Sequence, residues 1–69
     1  MYQIDKKVIE QNYRQAVLDY QIASNQEEKE VAMHDMAEWE RTAGEQYGFD
    51  YQDELAKMKN QIEEYSYSR

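Results

Sequence analysis

Apolar side chains recur at helical spacing along nearly the whole chain. In the last third, one narrow stripe is formed by Tyr51, Leu55, Met58, Ile62 and Tyr65. In the middle, a broader face that includes small side chains is formed by Ala32, Met33, Met36, Trp39, Ala43 and Tyr47. Stripes of this period are typical of amphipathic helices that bury one side. Both segments are therefore predicted to be helices, with Trp39 as the anchor of the middle one.

The first third carries two apolar stripes, on nearly opposite sides of a predicted helix. One consists of Tyr2, Ile9, Tyr13, Ala16, Val17 and Tyr20, and the other of Ile4, Val8, Leu18 and Ile22. Because two further helices can cover one side of this helix, we expect the second stripe to remain exposed for a partner or a second copy. In the alternative, this helix lies in the middle of the bundle and both stripes are covered.

The first break in the pattern comes before the middle helix. A capping box needs a short polar residue followed three positions later by an acid, and Ser24 with Glu27 has this spacing. Asn25 with Glu28 has it as well. Either Ser24 or Asn25 is therefore predicted to cap the helix that follows.

The second break is at Gly48, which can adopt the positive φ that ends a helix. Asp50 is then expected to cap the last helix. The chain has no proline, so we predict helices near 4–23, 26–47 and 51–66. Short connections favour antiparallel neighbours, and the predicted fold is one all-α domain over residues 1–69, a three-helix bundle that dimerisation could complete. A two-helix hairpin with a long arm is the alternative.

The composition limits the core and the class of protein. Leu, Ile, Val and Phe number only ten of the 69 residues, so the 7 Tyr, 4 Met, the Trp and the alanines must fill the core. This low aliphatic content also leaves open a chain that folds only on its partner.

The chain has no cysteine, which excludes disulfides and thiolate metal sites. No apolar run approaches the ~18 residues of a membrane span, and a net charge of −7 has the wrong sign for direct nucleic-acid binding. We expect a cytoplasmic protein.

The negative charge is concentrated in residues 26–56, which carry ten acidic and two basic side chains. Some of these acids are explained by helix N-termini, and Arg41 has ion-pair spacing to Glu38 and Glu45. A solvated face would account for the rest. In the functional interpretation they form a face for a basic partner, with Glu27, Glu30, Asp35, Glu38, Glu45 and Asp50 as the candidate residues. Acids one helical turn apart are separated by about 6 Å, a spacing close to that of phosphates along a DNA strand.

Little in the chain indicates catalysis. Glu30, His34 and Glu38 have the spacing to approach one cation, but a single histidine without a second ligand group is typical of a surface residue. Gly44 and Gly48 lie at a helix end and form no phosphate-binding loop. A bundle of this size also has little room for a substrate pocket. We therefore expect no enzymatic activity, no metal and no cofactor.

The expected function is a non-enzymatic protein-interaction module. In its most specific form it is an acidic helical inhibitor that occupies the basic, nucleic-acid-handling surface of a partner protein, an analogy of charge and size alone. The alternative is a homo-oligomeric scaffold or adaptor that associates through Ile4, Val8, Leu18 and Ile22. Salt weakens the charged interface and spares the apolar one. The residues after Tyr65 are expected to be a frayed terminus.

Overall fold

A computed structural model describes residues 3–67 as three α-helices. They are α1, Lys6–Ile22; α2, Gln26–Tyr47; and α3, Phe49–Tyr67. Residues 3–67 contain no strand, and the all-α prediction is confirmed. Side chains are described as far as residue 65. The predicted place of Tyr2 in the first stripe lies outside the described residues. A frayed terminus was expected after Tyr65, but α3 continues through Tyr67, and residues 68–69 lie outside the described part of the chain.

Contacts between the helices establish an up-down-up bundle. The Tyr13 hydroxyl donates a hydrogen bond to Glu40, so the middle of α1 lies against α2. At the start of α3, the Tyr51 hydroxyl donates to Glu10 in the first half of α1. Helix α2 therefore runs antiparallel to α1, and α3 runs in the direction of α1. All three pairs of helices are in contact, so the alternative of a hairpin with a free arm is wrong. The principal extents are 38 × 26 × 16 Å, which makes the bundle a flattened slab.

Side-chain caps fix where α1 and α2 begin. The Asp5 carboxylate accepts a hydrogen bond from the Lys7 N–H at 2.8 Å, so α1 starts at Lys6, two residues later than predicted. At α2 the structure selects Asn25, whose side chain accepts from the Glu28 N–H at 2.9 Å. The Glu28 carboxylate in turn accepts from the backbone N–H and the hydroxyl of Ser24, both at 3.0 Å. These two hydrogen bonds, the backbone one first, lower the pKa of Glu28.

A single residue, Gly48, connects α2 to α3. Its N–H donates to the Gly44 carbonyl at 3.1 Å, and its carbonyl accepts from the Gln52 N–H at 3.2 Å. Its φ of 94° is in the positive range that was predicted, while its ψ of 175° extends the chain into a region open almost only to glycine. Helix α3 therefore begins at Phe49, and the prediction that Asp50 caps it is wrong. Asp50 lies within the first helical turn, where the helix dipole favours an acid.

The core is built from few aliphatic and several larger or smaller side chains, as the composition requires. Its buried members are Ile9, Tyr13, Ala16, Val17, Ala32, Met36, Ala43, Tyr51 and Leu55. Around it, partly buried, pack Ile4, Tyr20, Trp39, Tyr47, Met58 and Ile62. The first stripe of α1 thus faces the core. Trp39 lies at the edge of the core rather than at its centre.

Two residues predicted on buried faces are exposed. Met33 has 50% of its surface accessible and Tyr65 has 70%. Both lie toward the end of the bundle where α1 finishes. An open groove of about 840 Å³ separates α2 from the second half of α3 there, and Met33 lines it. The apolar stripes of α2 and α3 therefore extend past the region in which these two helices are in close contact, and this leaves Met33 and Tyr65 exposed.

Buried tyrosines hold the helices together with both their rings and their hydroxyls. The Tyr13 hydroxyl donates to the Glu40 carboxylate at 2.6 Å. The Tyr51 hydroxyl lies 2.8 Å from the Glu10 carboxylate and 3.1 Å from the Lys6 carbonyl. For each tyrosine, burial is the main cause and the carboxylate the second cause of a pKa raised well above its usual range. These contacts let a polar-tipped side chain occupy positions that larger proteins give to aliphatic residues.

We expect these tyrosines to make the protein sensitive to alkali. An unfolded tyrosine loses its proton near pH 10, whereas burial and a neighbouring carboxylate raise the pKa of Tyr13 and Tyr51 above that value in the folded state. The native state then binds more protons than the unfolded state. Stability should be level below about pH 10 and fall above it, by up to about 1.4 kcal/mol per pH unit for each tyrosine. Urea unfolding followed by circular dichroism at pH 8 to 11 measures this slope, and Tyr13→Phe should reduce it.

Candidate interaction surfaces

The outer face of α2 carries a row of carboxylates. Its members, called here the outer acidic face, are Glu27, Glu30, Glu38 and Glu45. They point away from the side of α2 that supplies Ala32, Met36 and Ala43 to the core. From Glu27 to Glu45 the row is about 27 Å long at the helical rise of ~1.5 Å per residue. The structure thus brings four of the six predicted acidic residues onto one surface.

Basic side chains partly neutralise one half of this face. Arg41 lies 3.1 Å from the Glu38 carboxylate and 3.6 Å from that of Glu45, which confirms the predicted ion pairs. His34 lies 3.9 Å from Glu38. Among the described residues, Glu27 and Glu30 have no basic partner within ion-pair distance. The carboxylates of this face without an ion pair therefore lie in the first half of α2.

The other two predicted acidic residues lie elsewhere. Asp35 lines a groove between α1 and α2. Asp50 is on α3, in a depression that it shares with Glu40 and Phe49. Glu40 itself belongs to the acidic segment of the sequence, but it serves the fold as the acceptor of the Tyr13 hydroxyl. Charge counting along the chain does not separate this structural acid from the exposed ones.

The second apolar stripe of α1 is exposed along most of its length. Val8 is 42%, Leu18 37% and Ile22 77% accessible, so the alternative in which both stripes are covered is wrong. Ile4 is different, because it packs against the core. Its N–H donates to the Gln46 side chain at 2.8 Å and its carbonyl accepts from the Tyr47 hydroxyl at 2.7 Å. Ile4 thus ties the segment before α1 to the end of α2.

A groove between the end of α1 and the first half of α2 combines apolar and acidic side chains. We call it the acidic groove; its volume is about 610 Å³. Its apolar lining includes Ile22, Val31 and Ala32, and its acids include Asp19, Glu27 and Asp35. Sequence reasoning missed Val31, which belongs to no stripe and is 59% accessible. The signal that was available is an isolated branched aliphatic residue within an acidic run.

The wider groove beside α3 has a different character. Met33, Met36 and Ala37 supply apolar surface, while Lys29, Lys59, Glu40 and Glu63 place both signs of charge around it. Lys59 also lies 3.8 Å from Glu63. Because its charges are mixed and partly paired, this groove favours no particular charge in a ligand.

Neither a metal centre nor a membrane span is present in the part of the chain that the structure describes. Within residues 3–67, no three His, Asp or Glu side chains come together in a way that could hold a metal ion. No helix there is both long and apolar enough to cross a bilayer. Comparisons of the chain with protein-family models, with curated proteins and with solved structures found no match.

Proposed function

We propose that this protein is a non-enzymatic interaction module that binds a basic surface of a partner protein through the outer acidic face. In its most specific form it is an inhibitor that occupies a surface on which the partner otherwise holds nucleic acid. The observation that carries the proposal is a row of carboxylates on a single helix, the exposed Glu27, Glu30 and Glu45 with the half-buried Glu38.

The way in which α2 is held supports this proposal. Helix α2 is fixed to the bundle by Ala32, Met36 and Ala43 on its inner side, so the carboxylates on its outer side keep their spacing. A rigid row of charges loses little conformational entropy when it meets a surface with a matching row. Lysines and arginines that hold successive phosphates would present such a surface.

Charge reversal tests the proposal. We expect Glu30→Lys with Glu45→Lys to abolish capture of basic partners from a lysate of the source organism at low salt, because attraction becomes repulsion. The matched control, Asp53→Lys with Glu54→Lys, makes the same change in net charge on α3 and should leave capture nearly intact. Circular dichroism checks that both variants remain helical. Equal capture by both variants would contradict the proposal.

Two further measurements distinguish an inhibitor of a nucleic-acid-binding surface from the alternative functions. High salt should release the partner, and a DNA duplex added as competitor should displace the protein if both occupy one surface. Exposure of Val8, Leu18 and Ile22 favours a second candidate, a homo-oligomer joined through this stripe. Association that survives both salt and charge reversal, with a mass in solution above that of one chain, would support the oligomer.

A further inference from the structure

The acidic groove has features that the outer acidic face lacks. Ile22 is 77% and Val31 59% accessible, and these branched aliphatic side chains line the groove from α1 and from α2. Ala32 beneath them is buried. A flat charged surface needs no such apolar lining, whereas a groove that receives another apolar side chain does.

The acids that line this groove form no ion pair with a described residue. The ion pairs found among residues 3–67 involve Glu38, Glu45, Asp53 and Glu63. None of these lines the acidic groove. Asp19 accepts a hydrogen bond from the neutral Gln15 side chain at 2.9 Å, which leaves its charge in place. The groove is thus apolar in its lining and strongly negative at its edges.

We infer that the acidic groove receives a basic amphipathic α-helix of the partner, whose apolar row lies on Ile22 and Val31 and whose lysines or arginines reach Asp19 and Asp35. This inference rests on the proposed function, since it specifies the segment of the basic partner that is bound. An amphipathic helix lays one apolar row into a groove and keeps its charges at both edges of that row. Those two features match the lining and the edges of this groove.

Charge decides against other occupants. A second copy of the chain that placed its own groove here would bring Asp19, Glu27 and Asp35 against the same three acids, and like charges at an interface are unfavourable. An anionic lipid surface would be repelled for the same reason. A basic segment without an apolar row would leave Ile22 and Val31 uncovered.

The test uses the full-length protein and a synthetic helical peptide of lysine and leucine, with its leucines in one row. A second peptide has the same composition, with the leucines scattered. We expect the first peptide to bind more tightly. In ¹⁵N NMR spectra of the protein, its addition should shift the amide signals of Asp19–Ala23 and Glu27–Asp35. The groove variant Ile22→Thr with Val31→Thr keeps branched side chains, so its helices should form. This double variant should bind the amphipathic peptide about tenfold more weakly. Its affinity for the peptide with scattered leucines should be unchanged.

The control variant Val8→Thr removes an exposed aliphatic side chain of the same helix outside the groove, and should bind as the unmodified protein does. Equal affinity for both peptides, or amide shifts confined to α2 with none at Asp19–Ala23, would overturn the groove inference and leave the proposed function standing. Absence of binding by either peptide would also overturn the inference. The proposed function fails separately, if charge reversal at Glu30 and Glu45 does not change capture of natural partners.

Discussion

Replacing Tyr13 with alanine is expected to leave the chain largely unfolded at room temperature. Tyr13 is 0% accessible, the largest of the fully buried side chains, and donates to Glu40 across the α1–α2 interface. Removing a buried aromatic side chain costs about 3–5 kcal/mol through lost burial and the cavity that remains. A single core in a chain of this length supplies about as much stability in total. Urea unfolding followed by circular dichroism measures the loss.

Two variants show which part of Tyr13 is responsible. Tyr13→Phe keeps the ring and removes only the hydrogen bond to Glu40, so it should cost about 1.5 kcal/mol. Phe49→Ala removes an aromatic ring that is 84% accessible, and should change stability by no more than about 0.5 kcal/mol. If Tyr13→Ala were as mild as Phe49→Ala, α1 could not pack on α2 as described.

Replacing Gly48 with alanine should destabilise the protein by about 1–3 kcal/mol. The cause is the backbone, because an added Cβ would meet no atom within 4 Å, whereas φ is +94°. An L-residue resists this conformation, and no longer loop is available to relax it since Gly48 alone joins α2 to α3. The free energy of unfolding in urea is again the measurement.

Gly44→Ala is the matched control for this backbone effect. Gly44 lies inside α2, where alanine favours the helix by roughly 0.5–1 kcal/mol. Its new Cβ would meet the Gln52 amide nitrogen at 3.0 Å, and the small shift that relieves this contact weakens the hydrogen bond from that nitrogen to the Glu40 carbonyl. Because this cost offsets the gain in helix propensity, we expect a change near zero. A loss at Gly44 as large as that at Gly48 would show that crowding, rather than φ, limits this turn.

Local patterns along the chain were sufficient to predict the helices. The α2 boundaries follow from Asn25 and Gly48, which act through hydrogen bonds to neighbours only a few residues away. The third helix was predicted to begin two residues too late because Asp50 is a good capping residue. The carbonyl of Gly48 performs that task instead, and sequence spacing does not reveal which group a turn will use.

The interaction surfaces were only partly predictable. The outer acidic face follows from helical spacing on α2 alone, so the sequence is sufficient to place Glu27, Glu30, Glu38 and Glu45 on one side of this helix. The acidic groove needs two helices in register, and its aliphatic side chain Val31 belongs to no stripe. Ile4 was assigned to the exposed stripe of α1 by its angle around a helix. It precedes that helix, and contacts with Gln46 and Tyr47 place it against the core.

The sequence by itself determined three helices, their short connections, a core that depends on tyrosine, and a negative middle segment, because each of these follows from spacing or composition over a few turns. Only the tertiary structure decided which acids serve the fold and which face solvent. Glu40 and Glu30 look alike in the sequence, and they differ because a tyrosine from another helix reaches one of them. Contacts between residues far apart in the chain carry that information, and no local pattern contains it.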